Sequence, residues 1–147
     1  MPSKDVLDAA AEPMAWFQHD VNAAHDSKCQ RLLYRHGNAG YGAYWRLCEL
    51  LAAEKGHSLS VETEEDWLIL TMNLGIKAEG AYSNYDSVDE CKSFIDCLLE
   101  IGLIVRDGKG AIESARMTRN ALFFGAQRAA GRAGGAKGGR PRKQKPE

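Results

Sequence analysis

No run in this sequence approaches the roughly 18 consecutive apolar residues that a membrane-spanning helix needs, and residues 1–14 lack the cationic start and apolar core of a secretory signal. Both absences point to a cytoplasmic chain with no membrane partner. Cysteine is scarce: Cys29, Cys48, Cys91 and Cys97 include no Cys-x-x-Cys pair, so neither a disulfide framework nor a zinc module is indicated. A phosphate-binding glycine loop is missing, and no Ser-His-Asp or Cys-His arrangement can be assigned from spacing. The expectation is therefore a protein that is not an enzyme and uses no cofactor and no metal.

Acid is nearly absent from one part of the chain. Residues 1–115 hold 10 Lys and Arg against 19 Asp and Glu, whereas residues 116–147 hold 9 against a single Glu147. The overall net charge of -1 hides this division. An acidic body repels nucleic-acid phosphates, while a cationic tail attracts them by releasing condensed counterions. The 147 residues suffice for one domain with its own core, and 44% hydrophobic and 27% charged residues are ordinary globular usage.

Local chemistry divides the chain into elements. Residues 1–14, ending at Pro13 and Met14, read as a flexible leader. Asp26 or Ser27 offers an N-cap for a helix to His36, which Gly37 stops. From Tyr41 to Lys55, Tyr41, Tyr44, Trp45, Cys48, Leu51 and Ala52 recur at helical spacing. His57 to Val61 alternates as a short strand, and Thr63 before Glu64, Glu65 and Asp66 opens a helix to Leu74. Gly75 to Asp86 reads as loop, with Tyr82 and Tyr85 as exposed contacts. Ser87 and Glu90 then form a capping box for Val88 to Ile101. Leu103 to Val105 and Ala111 to Ser114, joined through Asp107, Gly108, Lys109 and Gly110, spell a hairpin.

The order helix, strand, helix, helix, hairpin is that of a winged helix, a mainly α fold with a small β part: a helical core, a C-terminal β-hairpin wing and a disordered basic tail. The predicted domain spans residues 15–128, with a last helix from Ala115 to Ala130. Residues 129–147, rich in glycine and basic residues and without large apolar side chains, are predicted to be the disordered tail. Trp45, Leu47, Cys48, Leu51, Trp67, Leu70, Phe94, Leu98 and Ile104 are the predicted core.

Trp16-Phe17-Gln18-His19-Asp20, then Asp26, then Gly40-Tyr41-Gly42-Ala43-Tyr44-Trp45 with Glu49 downstream, resembles the N-terminal domain of phage and prophage DnaD-like replication-initiation proteins. The resemblance covers about Met14 to Met117 and implies a role in replication, with a replication protein as a possible partner. A second helical domain often follows in that family, so the resemblance implies an accessory or shortened form here. Separately, Gly139-Arg140-Pro141-Arg142-Lys143 resembles the core of an AT-hook, in which proline keeps the backbone extended and arginines enter a narrow A·T minor groove; Gly138 stands where that motif has a further arginine.

The predicted helix from Val88 to Ile101 carries Asp89, Glu90, Asp96 and Glu100 against Lys92 alone, which disfavours docking on phosphates. The DNA contact is therefore expected in the tail, at Arg128, Arg132, Lys137, Arg140, Arg142, Lys143 and Lys145, and the body is expected to form a homo-oligomer or bind a protein. Two alternatives are a winged-helix transcriptional regulator using Arg106 and Lys109 of the wing, and a protein-interaction domain with no DNA binding. Three weaker motifs have plainer accounts. Gly37-x-x-Gly40-x-Gly42 reads as a close helix-to-helix turn rather than a dinucleotide fingerprint, the His25 and Cys29 pair as capping and surface hydrogen bonding rather than a metal site, and Tyr41, Tyr44 and Trp45 as core rather than a platform for bases.

Overall fold

The computed structural model describes residues 1–77, 87–136 and 138. Five helices and three short strands follow in the order α1 (Lys4–Ala10), a 3-10 turn (Ala23–His25), α2 (Ser27–Ala53), β1 (Ser58–Leu59), α3 (Glu64–Leu74), α4 (Val88–Ile101), β2 (Val105–Arg106), β3 (Ile112–Glu113) and α5 (Ala115–Ala136). The fold is mainly helical with one small antiparallel sheet, in which β3 lies between β1 and β2. Ser58 and Val105 both face Glu113, and Leu59 and Arg106 both face Ile112, which places the fully buried Ile112 at the sheet centre.

Capping chemistry sets most helix ends. The Asp26 carboxylate accepts from the Lys28 and Cys29 amides at 3.0 and 3.2 Å, satisfying donors that the first turn of α2 leaves open. Thr63 and Asp66 form a reciprocal capping box on α3, and Ser87 accepts from the Glu90 amide on α4. Gly75 and Gly102 close α3 and α4 in the left-handed conformation, which costs glycine little.

Gly37, with φ 63° and ψ -163°, breaks α2 into two helical pieces, so the second piece begins before Tyr41 and ends at Ala53 rather than Lys55. The break folds residue 36 toward residue 40: a Cβ on Gly40 would fall 2.2 Å from that of His36. Behind it lies the core, where Leu32, Leu47, Leu51, Ile95, Leu98, Ile104 and Ile112 are almost wholly buried. Each such side chain contributes about 1.5–3 kcal/mol of burial, enough to hold α2 against α4 and the sheet.

Of the predicted core, Leu47, Cys48, Leu51, Leu70, Phe94, Leu98 and Ile104 are buried, but Trp45 and Trp67 are only half-buried. Trp67 keeps one face under the Lys92 ammonium, 5.5 Å from the ring centre. Trp45 borders a cavity instead.

The two ends of the described chain depart most from expectation. Residues 4–10 form a helix rather than a loose leader, and α5 continues six residues beyond Ala130. One arrangement accounts for both, because α1 packs along α5. Gly125 lets the backbones meet, since a Cβ there would lie 2.7–2.8 Å from the backbone and Cβ of Ala10. Residues 11–14 are tied down as well: the Met14 amide donates to the Ala52 carbonyl at 2.8 Å and the Gly56 amide to the Ala11 carbonyl at 2.7 Å. His57, buried and with φ 55°, places its Nε2 2.8 Å from the Glu12 carbonyl oxygen, to which it donates. The predicted loop at 75–86, including Tyr82 and Tyr85, falls largely outside the described residues, as do residues 137 and 139–147 of the tail.

Candidate functional site

Residues of the Trp16 to Asp20 segment and of α2, far apart in sequence, meet around Trp45. The His19 ring stacks on the indole with centroids 3.6 Å apart, and Phe17 lies nearly parallel to it at 6.1 Å. Tyr41 stands edge-on at 6.1 Å and Tyr44 is tilted at 5.3 Å. Such aromatic pairs add about 0.5–1.5 kcal/mol each beyond their burial. Asp20, at the end of the same segment, forms an ion pair with Arg116 at the start of α5. An aromatic seam and one charge pair thus fasten the segment before α2 to α2 and α5.

Beside this seam lies a cavity of about 500 Å³ between residues 12–18, α2 and α5. Its apolar wall includes Met14, Trp16, Phe17, Trp45, Met117 and Phe124, and its polar groups include Gln18, Asn120, Arg116 and Arg128. Trp16, 70% exposed, meets Phe124 edge-on at 5.8 Å at the rim. Among the described residues, the buried side-chain N and O atoms without a hydrogen-bond partner are Trp45 Nε1 and Arg128 Nε, and both residues line this cavity. Burial pushes the Cys48 thiol, also in the lining, up to about 11, and raises the Tyr44 hydroxyl as well.

The cations predicted to meet DNA divide into two groups. Arg128 donates from Nη2 to the Ala9 carbonyl near the end of α1 at 2.6 Å, beside the backbone amides that already reach that oxygen. Arg132, one turn further along α5, grips both oxygens of Glu12 at 2.9 and 3.1 Å. This hydrogen bonding holds the Glu12 carboxyl below its ordinary value, with the charges of Arg132 and Arg128 adding to it. Both arginines therefore fasten α1 to α5 rather than standing free for phosphate. Lys137, Arg140, Arg142, Lys143 and Lys145 lie outside the described residues. Arg119 of α5 is exposed.

At the hairpin, Asp107 accepts from the Lys109 and Ala111 amides at 2.8 and 3.0 Å, and Arg106 donates to the Gly110 carbonyl at 3.0 Å. Lys109 is exposed at its tip. The residues weighed for a metal diverge: Cys29 enters the core, His19 stacks on Trp45, and His36 stands edge-on to Phe94 at 5.4 Å. Among the described residues, no group of three or more His, Cys, Asp or Glu side chains is placed to hold a metal ion. Nor is any described helix long and apolar enough to cross a membrane.

The sequence motifs identified Trp45 and its neighbours but missed the cavity beside them. Its far wall comes from α5, and no periodicity in either segment indicates that they face one another.

The helical body with its three-stranded sheet and aromatic seam defines a small α+β domain, and a family model places it. The model described as Lin1244/Lin1753-like, N-terminal, matches residues 16–115, and the chain belongs to this family. The match takes in the aromatic seam, most of the core and the hairpin, and leaves out α1 and nearly all of α5. No curated protein and no solved structure matches the chain.

Proposed function

We propose that this chain is a phage-type, replication-associated binding module of winged-helix build rather than a catalyst, with an acidic body for assembly and a cationic C-terminal segment for DNA. The fold part of this reading is supported by the order of α2, β1, α3, α4, β2 and β3 and by the central position of β3, although residues 75–87 between α3 and α4 make a longer connection than the tight turn of a helix-turn-helix. The matched family is named apart from the DnaD-like proteins. Kinship with those proteins is part of the proposal and rests on the motif from Trp16 to Trp45.

The observation that carries the DNA part is the division of charge, sharpened by the ion pairs of α5. Acid crowds the first turns of α3 and α4, with Glu64, Glu65 and Asp66 on one and Asp89 and Glu90 on the other. A recognition helix dressed this way would meet phosphates with like charge. Arg116, Arg128 and Arg132 are engaged by Asp20, Ala9 and Glu12. The five cations from Lys137 to Lys145 lie in a stretch whose sole acid is Glu147, and the DNA contact is assigned to them. The regulator reading is less favoured, because Arg106 of the wing is spent on the Gly110 carbonyl.

Assembly is assigned to α3, where Leu68, Ile69 and Met72 are 46%, 51% and 60% exposed and offer an apolar face to a second copy of the chain. The DNA part is tested by replacing Lys137, Arg140, Arg142, Lys143 and Lys145 with Gln and titrating a fluorescent duplex. The proposal expects binding to be all but lost while the melting temperature is unchanged. Undiminished binding would move the contact to the wing or α4, and absence of binding by intact protein would leave only the interaction-domain reading.

A further inference from the structure

The cavity between residues 12–18, α2 and α5 has no role in the proposed DNA contact, yet its lining is chemically lopsided. Its unsatisfied buried groups, Trp45 Nε1 and Arg128 Nε, are both donors. A buried donor without a partner costs about 1–3 kcal/mol, more when charged, and native proteins rarely leave one open without cause. The charges of the lining add a second asymmetry. Glu12 is held by Arg132 and Arg116 by Asp20, whereas Arg128 donates to the neutral Ala9 carbonyl. Among the described residues Arg128 thus has no carboxylate hydrogen-bonded to it, and Glu12, bound to Arg132, acts on it only through space.

We propose that this cavity is a binding site for a small molecule with a flat apolar body and a single carboxylate. Its volume of about 500 Å³ falls within the range of about 300–1,000 Å³ usual for small-molecule sites. Trp16, Phe17, Trp45 and Phe124 supply faces and edges for the flat body, and Met14 and Met117 adapt to its outline. The carboxylate accepts from the Arg128 guanidinium and from the Trp45 indole, which discharges both orphaned donors at once. A peptide segment suits the site less well, because its backbone brings as many donors as acceptors, whereas the two buried orphans call only for acceptors. A cationic ligand would set its charge against Arg128.

The three tryptophans, Trp16, Trp45 and Trp67, make the test direct, because each gives one indole N–H signal in a nitrogen-15 correlation spectrum. The full-length protein is titrated with 2-naphthoate, its neutral isostere 2-naphthamide and the cation 2-naphthylmethylammonium. The expected result is a saturable downfield shift of the Trp45 indole signal with 2-naphthoate, at least tenfold weaker binding of the amide and none of the cation. Trp45→Phe keeps a ring on His19 but removes the N–H, and Arg128→Lys keeps the charge but removes Nε. Each should weaken naphthoate at least fivefold and leave the naphthamide affinity within twofold in protein whose remaining amide spectrum stays folded, even where the lost anchor or seam contact lowers the melting temperature. No saturable shift at millimolar 2-naphthoate, equal affinity for the three probes, or unchanged naphthoate affinity in folded Trp45→Phe protein would each overturn the proposal.

Discussion

Burial favours the thiol form of Cys29, Cys48 and Cys91. Cys48, on α2 and in the cavity lining, has its thiol pushed from an ordinary value of 9 up to about 11, and Cys29 and Cys91 are raised by the same desolvation. The folded state thus favours the protonated form, and the stability this contributes is present below pH 9 and is lost as pH rises from 9 toward 11. Denaturant midpoints measured at pH 8 and pH 10.5 should fall with pH, and Cys48→Ala should shrink the fall. At pH 8, native protein should react with a disulfide reagent far more slowly than unfolded protein, in which all four thiols react at ordinary rates. Other residues carry their roles openly in the sequence. Asp26, Thr63 and Ser87 are caps because their short oxygen-bearing side chains reach amides two or three residues on, a local matter that sequence displays. Trp45 was harder: its spacing placed it on the core stripe, but its depth depends on Phe17 and His19 arriving from another segment.

Between elements, the contact least visible in the sequence is that of α1 with α5. Lys4 to Ala10 is too short to signal a stable helix by itself, and Gly131, Gly134 and Gly135 each disfavour helix by about 1 kcal/mol relative to Ala. Tertiary bonds outweigh those local costs. Arg128 and Arg132 stand one turn apart and both reach the end of α1, while Gly125 admits Ala10. Gly125→Val should drive α1 from α5, costing about 1–3 kcal/mol in a denaturant titration and exposing residues 1–12 to protease. Native protection of that segment in the variant would contradict the packing described. The hairpin was easier to foresee, because Asp107 and Gly110 make their turn with bonds spanning four residues or fewer. On α3, Ile69→Asp should convert a self-associated species to monomer in light scattering at micromolar concentration, whereas intact protein that is already monomeric would remove the assembly part of the proposal.

Across the whole molecule, charge division was legible at once, since it is composition, but the use of each cation was not. Sequence placed Arg128 and Arg132 with the tail because they lie in its basic stretch. Their acceptors, Ala9 and Glu12, are about 120 positions away, and no local rule pairs them. Within the proposed DNA contact, engaging these two arginines at Ala9 and Glu12 lowers the number of phosphates the segment is expected to neutralise, and that number is measurable. Each neutralised phosphate contributes about -0.9 to the slope of log affinity against log salt, so the five cations from Lys137 to Lys145 imply a slope no steeper than about -4.5. The decisive measurement is this slope for duplex DNA with intact protein and with protein lacking residues 137–147. The account predicts about -3 to -4.5 for the intact chain and binding too weak to titrate for the shortened one; a shortened chain that binds as tightly, with the same slope, would contradict it.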